Sequence, residues 1–521
     1  MSCLTCSNCG FVNLLPPEPH VPQFLNAIQS SDDLVSQLLR GSRPLLDADH
    51  AFIDAEITKL KRLRTWYDAQ LQEIELYRKQ LKNRESIYAP IRRLPRDILI
   101  EIFHSICDSW WQDHQDEDED DDFERDSLDV TGPLWILGRI CGLWRDTLLT
   151  SPASWARYVS VTSPLSKHAC EILQTYLKHT GEHPLSLVVI CKGANFTEEG
   201  EIMSLLVKSC YRWKNVHINI AMHHAHHLES ISHLPILQTI YIDILDDDDS
   251  DYSSDIFLDA PQLWQATLSS QGIYQIKLPS MITHYSGHIT RFKDFQLLSQ
   301  LPKLRTCHLS SAVSTASMKE PVVMAELYQL FVQDLDILKF LTAPMLQSLT
   351  IARGSRESLS SIPVFFHRSG CHLESFSIGM AILEFETSAS ISDIFSSEAC
   401  STISHLKFEF GSVWYNVPNA FASSLILPNV RHLVLCFGYR YSRNMKTEWH
   451  ALLDIIHSRC KAGLLKVIEV QFLQTGALYG DGDIKANIRA PVGDNLEVRV
   501  ERWSPLFLDH QLAFWDPQPP M

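Results

Sequence analysis

Residues 301–309 read LPKLRTCHL, and this stretch carries the pattern that decides the fold of most of the chain. Its apolar side chains Leu304, Cys307 and Leu309 stand two, five and seven positions after the proline. Cys307 and Leu309 are two residues apart, which is the spacing of side chains on one face of a β-strand. Leu304 is expected to turn inward just before that strand. The stretch therefore predicts a short strand with one buried face.

The same pattern of about nine residues, called the phrase below, recurs along the rest of the chain. It keeps its proline at residues 234–242, 260–268, 343–351 and 427–435, and lacks it at residues 371–378, 401–408 and 463–470. Successive copies lie about 26–42 residues apart, and the shorter spacings approach the period of a leucine-rich repeat. Amphipathic stretches fall between the copies. We predict an irregular solenoid with parallel strands. An ordinary α/β domain with parallel strands is the alternative, because the asparagine ladder of regular repeats is missing.

A different pattern occupies residues 90–106, PIRRLPRDILIEIFHSI. Pro95 suits a first helical turn, where its missing N–H has no intrahelical partner, and Asp97 places a carboxylate near the positive helix end. The apolar face that follows is so wide that it must be covered on most of its circumference. Residues 113–126 then hold ten acids and one arginine, which predicts a solvated loop. The apolar pattern resumes at PLWILGRICGLWRDTLLTSPASW, residues 133–155, as further helix.

Residues 51–84 predict one long helix of over nine turns, because neither proline nor glycine interrupts them. Its apolar side chains recur every seven residues: Ile53, Leu60, Tyr67, Ile74 and Leu81, with Ile57, Leu63 and Leu71 between them. Such a stripe pairs with a second copy as a coiled coil, or packs back on its own chain. Arg64 and Arg78 interrupt the stripe and weigh against self-association.

The blocks at residues 90–106 and 133–155 together resemble an F-box, with three conserved stretches in the family's order. The matching residues are Leu94, Pro95, Ile98, Leu99, Ile102 and Phe103, then Cys141, Trp144 and Arg145, then Ser151, Pro152 and Trp155. The chain departs from the family's pattern at Asp97, where glutamate is commoner, at Ile140, where valine is usual, and in its acidic insertion. The wider layout resembles fungal, basidiomycete-type F-box proteins with degenerate leucine-rich repeats.

The resemblance implies a function. An F-box docks on the Skp adaptor of a cullin-RING ubiquitin ligase, and the repeats hold a protein substrate for ubiquitin transfer. The residues implied for docking on the Skp adaptor are Leu94, Pro95, Ile98, Leu99, Ile102, Phe103, Cys141, Trp144, Pro152 and Trp155. The alternative is a scaffold outside any ligase, which self-associates through the long helix. In that case the Leu94–Phe103 face is buried by the chain itself.

The predicted fold class is therefore α/β: an N-terminal helix plus a helical F-box, followed by an irregular leucine-rich-repeat-like solenoid with parallel strands. The predicted domains are a flexible Cys/Pro-containing tail, a long amphipathic helix, an F-box, a degenerate repeat domain and a C-terminal tail. Their respective boundaries are residues 1–50, 51–85, 86–160 with an acidic insertion at 112–129, 161–505 and 506–521.

Charge and hydropathy exclude several classes of partner. The formal net charge is −17, and most of it falls in the two acidic runs at residues 113–126 and 246–255. A chain without a broad basic stripe is not expected to bind nucleic acid or an anionic membrane as its main partner. No run of about 18 apolar residues predicts a spanning helix, and no signal peptide is apparent. We expect a cytoplasmic or nuclear protein with free thiols.

Two clusters raise the question of metal binding. Cys3, Cys6 and Cys9 have zinc-knuckle spacing, but zinc needs a fourth ligand, from His20 or a second chain. His223 and His227 are four apart and could share a helical face, yet no His-Glu-x-x-His arrangement accompanies them. A polar helix surface is the ordinary interpretation. No phosphate-binding loop and no paired nucleophile and base are apparent, so we expect no enzyme activity and no cofactor.

Overall fold

The computed structural model describes most of the chain. Its described residues are 3–5, 12–14, 32–112, 126–193, 196–245, 252–269, 272–289, 291–311, 321–353, 359–379, 388–410, 426–437, 453, 456, 459–460, 465–472 and 496–502. The chain divides into two compact units, Met1–Leu94 and Pro95–Met521. Residues 113–125 of the predicted acidic insertion and the whole predicted C-terminal tail lie outside the described residues.

The first unit is dominated by one helix. Strands β1 (Cys3–Thr5) and β2 (Val12–Leu14) pair antiparallel, and helix α1 spans Asp32–Leu39. Helix α2 spans Asp47–Ser86 and includes the residues for which a long helix was predicted. Asp49 closes its first turn, because its carboxylate accepts from the Leu46 amide at 3.2 Å and pairs with Arg43 at 2.9 Å. A 3₁₀ turn, Pro90–Arg93, follows.

The second unit begins with four helices: α3 (Arg96–Gln112), α4 (Pro133–Ile140), α5 (Gly142–Leu149) and α6 (Pro152–Ala156). Helices α4 and α6 each begin at a proline, which is preorganised for a first helical turn. A long parallel sheet follows. Its flanking helices are α7 (Ala169–His179), α8 (Phe196–Val207), α9 (Ala225–Leu228), α10 (Phe292–Ser299), α11 (Ser361–Ser369) and α12 (Ser388–Phe395).

Fourteen strands of the described chain form this sheet, and every neighbouring pair is parallel. They are β3 (Val159–Thr162), β4 (Leu185–Cys191), β5 (Trp213–Ala221), β6 (Thr239–Leu245), β7 (Gln265–Leu268), β8 (His284–Ile289), β9 (Thr306–Ser311), β11 (Gln329–Asp334), β13 (Ser348–Arg353), β14 (Ser375–Gly379), β15 (His405–Phe410), β16 (His432–Phe437), β17 (Val467–Phe472) and β18 (Glu497–Arg502). The short β10 (Val322–Val323) and β12 (Leu341–Thr342) pair with each other. Because the strands lie side by side in chain order, the fold is a solenoid with parallel strands.

The register explains the repeated phrase. Cys307 pairs with Leu330, Leu330 with Leu349, and Leu349 with Phe376, so equivalent residues of successive repeats form one ladder. All four side chains are buried. The first apolar residue of each phrase, two residues before its strand begins, is buried as well: Leu237, Leu263, Leu304, Leu346, Leu373, Ile403, Val430 and Leu465. The predicted solenoid is confirmed, and its core lies on one face of the sheet.

Six strands of the sheet carry no copy of the phrase that was recognised in the sequence: β3, β4, β5, β8, β11 and β18. Two of them, β8 and β11, lie between recognised copies. In β8 the position equivalent to Leu309 is Gly287, whose missing Cβ leaves room for the Tyr285 ring and the Leu268 carbonyl. In β11 the apolar spacing is kept by Leu327, Leu330 and Val332, but no proline marks it. These strands divide the two longest gaps between phrases, so the period there falls to roughly 20 residues, within the range of leucine-rich repeats.

Candidate protein-interaction surfaces

Helix α3 separates its apolar residues onto two sides. Leu99 and Phe103 are fully buried, and both face the other helices of the second unit. Ile98 and Ile106 point outward and are 44% and 42% exposed. A helix that is apolar on both sides needs a second covering surface beyond its own core. The outward side is therefore the first candidate contact surface.

The buried side of α3 builds a small core with the next helices. The Phe103 ring lies 5.1 Å from the Trp144 ring, centroid to centroid, and Leu137 of α4 and Leu148 of α5 are buried as well. Arg145 donates from Nε to the Gly138 carbonyl at 3.0 Å, which ties α5 to α4. These apolar residues are therefore held inside the helical bundle.

Trp155 joins the bundle to the start of the solenoid. Its ring lies 5.4 Å from Trp135 and 5.1 Å from Tyr176 of α7, both edge-on, and 4.7 Å from His179. The indole N–H donates to the Leu148 carbonyl at 3.1 Å. Edge-to-face aromatic pairs contribute beyond their buried area. Trp155 is thus an internal anchor of the second unit.

The ten residues implied for docking therefore occupy three environments. Leu99, Phe103, Trp144 and Trp155 are buried; Leu94, Ile102, Cys141 and Pro152 are half-buried; Pro95 and Ile98 are exposed. The four buried residues can contribute to partner binding only indirectly, because they keep the exposed residues in position. Other exposed apolar side chains of the same helices were not among the predicted residues: Ile106, Ile136, Ile140 and Leu149. Periodicity alone could not show them, because it does not say which helix covers which face.

Polar contacts close the bundle near a small cavity. His104 Nε2 lies 2.9 Å from Ser154 Oγ, and Arg157 pairs with Asp108 at 3.0 Å. The cavity beside them has a volume of about 30 Å³, which accommodates ordered water rather than a drug-sized ligand. Burial raises the pKa of Asp126, on the cavity wall, to about 7, although the Leu128 amide donates to its carboxylate. The cavity is a structural feature of the bundle.

The second candidate surface is the polar face of the sheet. Side chains between the ladder positions stack across strands, and the His217 and Tyr241 rings lie 4.1 Å apart, nearly parallel. Asn215 donates to Ser186 Oγ at 3.2 Å and accepts from Thr239 Oγ1 at 3.1 Å. Toward the other end the row carries charges: Lys407, Glu469 and Arg499. Which strand residues face outward could not be predicted, but the register now assigns them.

The predicted metal residues are only partly described. Cys3 lies in β1, whereas Cys6 and Cys9 fall outside the described residues. Ten cysteines between Cys107 and Cys460 in the described chain are free thiols. Among the described residues, no helix combines the length and apolarity that crossing a membrane requires.

No family model matches the chain, and no curated protein matches it. Among solved structures, the leucine-rich repeat-containing protein LegL7 from Legionella pneumophila is similar, with a TM-score of 0.34 and 12% identity. The similarity covers 57% of this chain and 95% of that chain. The repeat architecture of this chain rests on its own strand order and register.

Proposed function

We propose that the chain is a non-catalytic substrate adaptor of a cullin-RING ubiquitin ligase. Helices α3–α6 act as the F-box that docks on a Skp-type adaptor, and the solenoid binds a protein substrate. Holding the substrate near the ligase raises its effective concentration, so the chain itself needs no catalytic residue.

The supporting observation is a set of exposed apolar side chains on the helices of the bundle. Ile98 and Ile106 on α3, Ile136 and Ile140 on α4, and Leu149 on α5 are all exposed. Exposed apolar groups on a compact helical unit favour a protein partner that covers them. Because the sequence resembles an F-box, we propose that this partner is a Skp-type adaptor.

The substrate surface in this proposal is the polar face of the sheet. Concave repeat surfaces bind partners through side chains that project between the buried ladder positions. The row of Lys407, Glu469 and Arg499 alternates in charge. We therefore expect a substrate segment with charges of both signs rather than a uniformly acidic or basic one.

Replacing Ile98 by aspartate is expected to abolish capture of a fungal Skp adaptor. Ile98 lies in the first turn of α3, where a carboxylate suits the helix dipole, so folding should be retained. Loss of a central apolar contact costs about 2 kcal/mol or more of binding free energy, roughly 30-fold in affinity. Co-expression and pull-down with a tagged adaptor measures the effect.

Val364→Asp is the matched control. Val364 is also β-branched, lies in the first turn of α11 and is 57% exposed, but it is remote in sequence from the helical bundle. The control should capture the adaptor as the unchanged chain does. Equal capture by the Ile98→Asp and Val364→Asp variants would place the docking surface elsewhere.

Self-association through α2 is the second candidate function. The stripe of the long helix is exposed in the described chain, at Ile57, Leu60, Leu71, Ile74 and Leu81 among others. Read as a heptad, the stripe places Arg64 and Arg78 at core positions. In a parallel, in-register pair, each of these arginines would lie beside the same arginine of the second copy. An antiparallel pair instead sets Arg78 beside Ile53 and Asp54 of the second copy, which favours the antiparallel arrangement.

Leu71→Asp is expected to turn a dimer into a monomer, because it places a charge in the middle of the stripe. Leu76→Asp is the control, since Leu76 lies on the opposite side of α2 and the two residues are 58% and 55% exposed. Light scattering after size exclusion measures the mass. A charge exchange tests the orientation: Asp54→Lys weakens the antiparallel pair, and adding Arg78→Glu restores it. A wild-type chain that stays monomeric removes this candidate.

A further inference from the structure

Three side chains outside both interaction surfaces converge at one end of the solenoid. Glu199 lies on α8, and His223 and His224 lie in the 3₁₀ turn Met222–His224 that follows β5. One ligand atom from each lies within 4.8 Å of the other two. His224 Nε2 lies 2.8 Å from His223 Nε2 and 2.9 Å from Glu199 Oε2.

Protonation alone does not satisfy these short contacts. His224 Nε2 carries at most one proton, and that proton can lie along only one of the two contacts with good geometry. Without it, the lone pair of His224 Nε2 faces the Glu199 carboxylate. A cation placed between the three atoms accepts a lone pair from each. The arrangement of the three atoms is thus that of a ligand set.

The burial of Glu199 and His224 also favours a bound cation. Glu199 is 0% exposed and His224 is 1% exposed, and a buried carboxylate is unfavourable unless a positive charge compensates it. The Gly193 amide donates to Glu199 Oε2 at 3.0 Å, which orients the carboxylate as outer partners of metal ligands do. A divalent cation bound here would place a positive charge directly beside the buried carboxylate.

The backbone leaves room for the imidazole rings. Gly193 has a φ of +90°, and a Cβ there would lie 3.1 Å from His223 Cε1. Gly200 of α8 would bring a Cβ to 3.4 Å from His227 Nε2. Both glycines therefore allow histidine rings to approach closely. His223 is exposed, so the site has an open side.

We propose that Glu199, His223 and His224 bind a divalent transition metal, most simply Zn²⁺. Two imidazoles and one carboxylate form a known zinc ligand set, with water at the open fourth position. Tetrahedral bonds of about 2.0–2.1 Å hold ligand atoms roughly 3.3 Å apart, so the two short contacts of His224 Nε2 must lengthen by about 0.5 Å. The exposed His223 can make that adjustment. The metal would cross-link two successive repeats, and the proposal is independent of adaptor binding.

This ligand set differs from both sequence-based candidates. The pair His223 and His227 was considered because its members are four residues apart, whereas the cluster uses the adjacent His224. Glu199 comes from the preceding repeat, and only the solenoid brings it close. The proposal also departs from the expectation that the chain has no cofactor.

Calorimetric titration of the metal-free full chain with ZnCl₂ tests the proposal. Cys3→Ser, Cys6→Ser and Cys9→Ser are introduced first, so that the N-terminal thiols cannot contribute. We expect one Zn²⁺ per chain. Removing an outer partner of a metal ligand already costs about 10–100-fold in affinity, so loss of a direct ligand in His223→Ala should cost at least ~100-fold. His223 is exposed, so this variant should fold.

His226→Ala is the matched control, because His226 is an exposed neighbour in the same segment and does not belong to the cluster. It should bind Zn²⁺ as the parent does. Zinc should also raise the melting temperature of the parent and the His226→Ala variant, but not that of His223→Ala. Absence of zinc uptake, or equal affinity for His223→Ala and His226→Ala, overturns the proposal.

Discussion

Replacing Trp155 by alanine is expected to lower the free energy of unfolding of the second unit by about 3–5 kcal/mol, the usual cost of deleting a buried tryptophan ring. Trp155 is 3% exposed and contacts the rings of Trp135, Tyr176 and His179. The substitution leaves a cavity and removes the donor to the Leu148 carbonyl. Urea denaturation followed by circular dichroism measures the change.

Trp66→Ala is the control for this prediction. Trp66 lies on α2 and is 43% exposed, so its replacement should change stability by no more than about 0.5 kcal/mol. If Trp155→Ala and Trp66→Ala unfold at the same urea concentration as the wild type, Trp155 does not anchor the bundle to the solenoid.

Replacing Phe376 by alanine is expected to cost a similar 3–5 kcal/mol within the solenoid. Phe376 is fully buried in the β14 ladder, and its ring lies 6.3 Å from Phe366 and 5.8 Å from Phe395. Each repeat contacts only its neighbours, so the loss should split the urea transition into two steps.

Ser377→Ala provides the comparison for Phe376→Ala. Ser377 is the next residue of β14 and points to the opposite face of the sheet, where it is only half-buried. Its replacement should leave a single transition near the wild-type midpoint. A single unshifted transition for Phe376→Ala would show that the ladder is not the source of cooperativity.

The solenoid was predictable because one buried face leaves a period-two signature in most of the strands. The phrase that places Cys307 and Leu309 inward recurs in eight of the fourteen described strands of the sheet: β6, β7, β9, β13, β14, β15, β16 and β17. The signature fails at Gly287, where a ring from the same strand takes the place of a side chain, and it weakens at Leu330, where no proline precedes the strand. A search for apolar residue types does not recognise a buried position at which a glycine leaves its space to the side chain of a neighbouring residue.

The two sides of α3 could not be separated from sequence. Ile98 and Leu99 are adjacent and equally apolar, yet one is exposed and the other fully buried. The difference arises from helices α4 and α5, which begin more than 30 residues later and cover only the side that carries Leu99 and Phe103. The cluster around Glu199 was missed for the same reason, because its members belong to consecutive repeats.

Direct binding of the purified full chain to a fungal Skp adaptor is the measurement that tests the proposed function most directly. Isothermal titration calorimetry should give a complex of one adaptor per chain with a Kd of about 1 μM or tighter, equivalent to roughly −8 kcal/mol. Absence of binding at concentrations of roughly 50 μM, with the chain folded by circular dichroism, would contradict the adaptor function. The self-associating scaffold would then be the better account of the exposed helices.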